Sequence, residues 1–145
     1  MTEVKNSKQY DLEERTLRFA KEVIAFVGIL PKTMANMEIM KQIIRSSGSV
    51  GANYIEANEA LSKKDFTMRV EICRKEAKES RYWLRLIEVR EDAEKRRQTL
   101  INEAIELMKI FGSIVEKVKI SVSVQPLPCH PDPDPERKRR GRGRV

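Results

Sequence analysis

Glycine and proline are scarce, six of each among 145 residues, and five of the prolines (Pro126, Pro128, Pro131, Pro133, Pro135) crowd near the C-terminus. A β-sandwich or a doubly wound α/β domain needs turn signals roughly every 8–12 residues. The first 120 residues hold almost none, which leaves an all-α chain. Cysteine is limited to Cys73 and Cys129, too few for a disulfide framework and without zinc-ligand spacing. Histidine occurs once, as His130, in the proline-rich stretch. No run approaches the ~18 apolar residues of a membrane span, and the opening MTEVKNSKQYDLEER lacks an apolar signal region. A cytoplasmic protein with no membrane role is the expectation.

What is abundant is charge. Charged residues make up 35% of the chain and apolar ones 40%, a balance typical of long solvated helices around a modest core. The net charge is +7, with residues 121–145 supplying +3 and the body +4. Such an excess suits an anionic partner, though it also serves solubility.

The apolar period is helical in four segments. From about Asp11 to Leu30, Leu12, Thr16, Phe19, Val23, Phe26 and Leu30 recur at alternating steps of four and three, and Pro31 ends the run. From about Met37 to Leu61 the seam is Ile39, Ile43, Ser46, Val50, Asn53, Ala57 and Ala60. Gly48 and Gly51 lie inside it, each costing about 1 kcal/mol against Ala. The pairs Ser47–Gly51 and Gly48–Ala52 put small residues four apart, so close packing of another backbone is expected to hold the helix unbroken. The third segment opens on Ser62-Lys63-Lys64-Asp65, close to a capping box, and runs to about Val89 with Phe66, Val70, Cys73, Ala77, Ser80, Leu84 and Ile87 on its seam. The fourth, from about Asp92 to Lys119, carries Leu100, Ala104, Leu107, Phe111, Ile114 and Val118.

These spacings predict an antiparallel up-down-up-down four-helix bundle over residues 11–120. An N-terminal arm (1–10) would precede it, and a disordered proline-rich linker and basic tail (121–145) would follow. Two helices carry more apolar surface than one seam requires. Met68, Ile72, Trp83 and Leu86 lie about 125° around the third helix from its seam, and Ile101, Ile105, Met108 and Val115 widen the fourth. One explanation is a broad core. The other is a subunit interface, favoured for the third helix because the displaced stripe holds the only Trp.

Catalysis finds little footing. Glu56, Glu59, Glu76 and Glu79 are helix-borne carboxylates, but a di-iron bundle site also needs helix-borne imidazole, and His130 is not on a helix. Cys73 and the serines 46, 47 and 49 have no associated base. No cofactor is implied. The polar centre of the second helix, with Arg45, Ser46, Ser49, Asn53 and Glu56 near or on the seam, reads either as a hydrogen-bond network that fixes register, with Gln42 and Glu79 counted in it, or as a ligand site.

Nucleic acid offers more. Arg74, Lys78, Arg81 and Arg85 recur at i, i+4, i+7 and i+11 within an arc of about 60°, beside Tyr82. Rows of this kind bind phosphates through counterion release. Arg137, Lys138, Arg139 and Arg140 add a basic arm in the tail. The plainer alternatives are a solvated face paired with Glu71 and Glu88, and a solubilising tail.

The runs Asp11–Thr16 and Leu30–Thr33, the stretch Ser49-Val-Gly-Ala-Asn-Tyr-Ile-Glu-Ala57, Ser62–Phe66, and Lys75-Glu-Ala-Lys-Glu-Ser-Arg-Tyr-Trp-Leu84 together resemble the four-helix-bundle family of 23S rRNA intervening-sequence proteins. The resemblance covers about residues 10–120. It implies a small bacterial or archaeal protein that assembles as a homopentamer. The related Avd-type accessory proteins of diversity-generating retroelements form basic pentameric barrels that bind nucleic acid and a reverse transcriptase. The expectation is therefore a non-enzymatic homo-oligomer that binds RNA or DNA as an accessory or scaffold, with a reverse transcriptase as a candidate partner. The alternative is a protein-interaction bundle with no nucleic-acid role.

Overall fold

The computed structural model describes residues 7–124, and their side chains from 11 to 121. The linker and basic tail expected beyond them, including Arg137, Lys138, Arg139 and Arg140, lie outside the described residues. Four helices follow one another: α1 (Ser7–Val27), α2 (Met34–Asn58), α3 (Lys63–Leu86) and α4 (Glu94–Val124), the last entered through a 3-10 turn at Glu91–Ala93. Among the described residues no strand occurs, and no helix is long and apolar enough to cross a membrane.

The helix ends follow local chemistry. The chain leaves α1 at Val27, ahead of Pro31, through turn bonds from the Ile29 N–H to Phe26 O and from the Leu30 N–H to Val27 O, both 3.2 Å. A residue preceding proline disfavours helical backbone, so helix cannot resume across this stretch. Thr33 then caps α2, its Oγ1 accepting from the Asn36 N–H at 3.1 Å. This cap starts α2 a turn earlier than the apolar period suggests. Ser62 caps α3 as its motif predicts, accepting from the Asp65 N–H at 3.1 Å. At their outer ends α1 and α4 extend beyond the apolar period, to Ser7 and Val124.

Cross-helix pairs give the directions. Thr16 faces Gly51 and Glu13 bonds Asn58, so α1 and α2 run oppositely. Ser46 bonds Ser80 while Arg69 bonds Asn53, so α2 and α3 do too. Arg97 reaches Ile87 O, and Gly112 lies against Arg74, which sets α4 antiparallel to α3. The bundle is the antiparallel up-down-up-down arrangement.

Its core follows the predicted seam, although Ile39, Asn53, Ala60, Phe66, Ile114 and Val118 of that seam are only half-buried. Phe19, Val23 and Phe26 of α1, Ile43 and Val50 of α2, Val70, Cys73, Ala77 and Leu84 of α3, and Ala104, Leu107 and Phe111 of α4 are all buried. The wide stripe of α4 is spent inside the same core, with Ile101 and Val115 buried and Ile105 and Met108 packed on it. Helix α2 passes unbroken through both glycines. At Gly51 the reason is the expected one, because a β-carbon there would sit 2.8 Å from Thr16 Oγ1. At Gly48 it is not: a β-carbon would meet nothing within 4 Å. Gly48 and Ala52 face outward in the single chain, lying about 60° and 100° further round α2 than Gly51, which faces α1.

One end of the bundle is tied by a residue that periodicity does not single out. Asn36 is 1% exposed. Its Nδ2 donates to Pro31 O and Glu88 O, both at 2.9 Å, and its Oδ1 accepts from the Glu88 N–H at 3.0 Å. One side chain thereby joins the α1–α2 turn to the segment after α3.

Candidate functional site

The basic stripe lies along the flank of α3 that borders α4. Arg74, Lys78 and Arg85 are exposed and Arg81 is half-buried. From Arg74 to Arg85 the row spans about 16 Å at 1.5 Å of rise per residue. Absence of a side chain at Gly112 leaves a shallow depression of about 330 Å³ under Arg74, lined also by Met108, Lys109 and Glu116. Arg74 is loosely paired to Glu71 at 3.5 Å. Among the described residues no carboxylate pairs with Lys78, Arg81 or Arg85, and Glu88, the other expected partner, uses its backbone to hold Asn36. Tyr82 is exposed beside the row, edge-on to Trp83 at 5.0 Å between ring centroids.

Other arginines contrast with these. Arg15 makes a bidentate bridge from α1 to Glu103 of α4 at 2.7 and 2.9 Å, which holds its guanidinium pKa above the usual value. Arg97 binds Ile87 O at 2.9 Å and Glu94 at 2.6 Å. Neither residue stands out in the sequence, because a cross-helix bridge has no periodic signature.

The polar centre of α2 closes on the facing side of α3. Arg45 donates to Glu79 and, at 3.3 Å, to Glu76, and the Trp83 Nε1–H donates to Glu79 at 2.9 Å. Burial alone would raise the Glu79 pKa. The Trp83 and Arg45 hydrogen bonds outweigh it and hold the carboxylate below its ordinary value. The Arg45 pKa rises in return, chiefly through its bond to Glu79. Below this layer the Ser46 and Ser80 hydroxyls meet at 2.8 Å in a fully buried position. Arg69 donates to Asn53 Oδ1 at 2.9 Å, while Asn53 Nδ2 donates to Ser49 O at 2.9 Å. Gln42 and Glu56 are exposed, and among the described residues no hydrogen bond links either to this network.

The expected interface residues of α3 divide. Met68 and Leu86 are half-exposed at its two ends, whereas Ile72 and Trp83 are half-buried, Trp83 packed against the core. Exposed Lys75 and half-buried Glu79 interrupt the row between them.

The arrangement offers little reaction chemistry. Burial pushes the Cys73 thiol up to about 12, so it carries almost no thiolate near neutral pH. Among the described residues no group of three His, Cys, Asp or Glu could hold a metal ion. A groove of about 730 Å³ lies between the α1 start and α4, over Leu12, Tyr54, Phe66 and Ile114, with Lys109 and Lys117 at its edge. It opens to the surface, and Asp11, Asn58 and Ser113 line it as well.

The sequence model of a family described as 23S rRNA-intervening sequence protein matches residues 8–113. A solved structure of a protein of unknown function from the S23 ribosomal protein family of Bacteroides thetaiotaomicron is 31% identical, with a TM-score of 0.65. The similarity covers 75% of this chain and 98% of that one. No curated protein matches.

Proposed function

Because the chain belongs to the 23S rRNA-intervening sequence protein family, we propose that it is a non-enzymatic homo-oligomeric bundle that binds RNA or DNA by charge, as an accessory or scaffold. The observation that carries the proposal is on α3. Lys78, Arg81 and Arg85 hold their charges along one rigid helix with no carboxylate among the described residues paired to them, while Arg15, Arg45 and Arg97 are spent on the bundle itself. Cations left unpaired at fixed spacing are available to phosphates, and each phosphate they neutralise releases counterions. Contacts to phosphates carry no sequence information, so the expected binding is sequence-tolerant. A ring of subunits, as the family resemblance implies, would repeat the row and raise avidity without any new kind of contact. The basic tail would add local positive charge. A reverse transcriptase is a candidate protein partner on the resemblance alone.

The test is a titration of full-length protein, a chain ending at Val124 and an Arg74→Glu/Arg81→Glu variant, against single-stranded and duplex RNA and DNA at several salt concentrations. The shortened chain should bind more weakly with a flatter salt dependence, yet still measurably. The double reversal should cut deeper than removal of a single tail arginine. Every phosphate that a variant no longer neutralises should lower the log–log salt slope by about 0.7–0.9. If the shortened chain shows no salt-dependent binding to any of the four, the charge-scaffold reading is wrong and a protein-interaction bundle replaces it.

A further inference from the structure

Five large aliphatic side chains left 43–55% exposed by the bundle fall on one side of the molecule: Leu17 and Ile24 on α1, Met37, Ile44 and Ile55 on α2. At 100° per residue each set lies within about 20° on its own helix. On both helices that direction is the flank where α1 meets α2, as the Thr16–Gly51 approach and the Glu13–Asn58 bond locate it. The antiparallel register sets Ile24 level with Ile44, and Leu17 between Gly48 and Ile55. They form one apolar strip along the outer α1–α2 groove. Its middle is a notch, because Gly48 has open space where a β-carbon would be and Ala52 is exposed beside it.

Five half-exposed aliphatics expose several hundred Å², comparable to the largest patch of ~300–600 Å² on an ordinary monomer. A patch of that size on one face is often functional. The chain itself supplies a counterpart on another side. On α3, Met68 and Leu86 are 50% and 49% exposed, with Ile72 and Trp83 half-buried between them. Met37 to Ile55 and Met68 to Leu86 each span 18 residues, about 27 Å of helix. Lys75 projects from the middle of the α3 row, where the Gly48–Ala52 notch of the other strip gives room. Two different strips on different sides of one subunit are what a heterologous contact needs, whereas a two-fold dimer needs only one.

We infer that the α1–α2 strip centred on Gly48 is a subunit contact that receives the Met68–Leu86 edge of α3 from a second copy of this chain. The inference rests on the self-association part of the proposed function and adds which surfaces mate. The contact uses the outer and α2-facing sides of α3. The Arg74–Arg85 row, on the α4-facing side, stays uncovered in every subunit.

The experiment uses the full chain and light scattering at micromolar concentration, with circular dichroism to confirm unchanged helicity. Wild type should be an oligomer. Ile44→Glu and Leu86→Glu should each return the monomer mass, and Leu17→Glu should repeat the first result from the other helix. An equimolar mixture of Ile44→Glu and Leu86→Glu should give a dimer, since each retains the face that the other lacks. A mixture that stays monomeric overturns the pairing. An Ile44→Glu and Leu17→Glu pair that both keep the wild-type mass overturns the strip, while self-association itself stands. A monomeric wild type overturns this inference together with the self-association reading, and the salt titration judges nucleic-acid binding separately.

Discussion

How tightly α1 packs on α2 can be measured at Gly51. A β-carbon there would lie 2.8 Å from Thr16 Oγ1 and 3.2 Å from Thr16 Cβ. Thr16 has little freedom to retreat. It is 1% exposed, its hydroxyl donates to Leu12 O at 2.8 Å and to Glu13 O at 3.0 Å, and its β-branch restricts χ1. Replacing an interior helical Gly with Ala gains about 1 kcal/mol where space is open. Overpacking a filled site costs about 1–3 kcal/mol. Gly51→Ala should therefore destabilise by up to about 2 kcal/mol, the overlap less the helical gain. Gly48→Ala, with no neighbour to meet, should stabilise by up to about 1 kcal/mol. Both are best read by urea unfolding in the Ile44→Glu background at one protein concentration, because subunit contacts would otherwise shift the apparent stability. A Thr16→Ala background removes the nearest overlapping atom, so the cost of Gly51→Ala should shrink there by about 1 kcal/mol. If Gly51→Ala stabilises as much as Gly48→Ala, or the cycle is additive, the close-approach argument fails.

Two further outcomes follow from the polar contacts. Asn36→Leu leaves Pro31 O, Glu88 O and the Glu88 N–H without their partner, and should cost about 2–4 kcal/mol in urea unfolding; a change below about 0.5 kcal/mol would mean that water replaces the side chain. The folded pKa of Glu79 is lowered, so its contribution to stability is present above the ordinary glutamate value of about 4.3 and fades as pH falls through the folded value. Melting temperatures from pH 7 to pH 3 should accordingly drop more for wild type than for Glu79→Gln, and parallel curves would show that Arg45 and Trp83 do not favour the charged form.

The bundle is legible because each seam position answers to one physical demand. Phe19, Val23 and Phe26 repeat every three or four residues, and the only surface that spacing can bury is a helical stripe. Ser62 is legible for a different reason, since its cap bond reaches a backbone group three residues away. Asn36 is opaque by the same standard. Two of its three side-chain bonds go to Glu88, more than fifty residues on, and they exist only once two turns meet. Thr33 lies in a stretch that reads as connection, because the apolar period restarts later than the hydrogen-bonded helix does. The wide stripe of α4 and the displaced stripe of α3 look alike in sequence. Packing separates them: α4 turns its extra residues into the core, while α3 leaves Met68 and Leu86 outside.

Periodicity gives the angle of a residue about its own helix, and that is where its information about sites stops. It places Leu17 and Ile24 together, and Ile44 and Ile55 together, but says nothing of which flank faces which neighbour. Only the order of the helices around the bundle merges the two pairs into one strip beside Gly48. The same step separates the functions of the faces. Between α2 and α3, Arg45, Glu76, Glu79, Ser46 and Ser80 bond one another and leave little to offer a ligand. Beside α4, Lys78, Arg81 and Arg85 keep their charge, and between α1 and α2 the aliphatics keep their exposure. A face already satisfied by its own chain serves the fold. Those left unsatisfied among the described residues, the cationic row beside α4 and the apolar edges of α1–α2 and α3, ask for partners of different chemistry, so binding and assembly need not compete for the same surface.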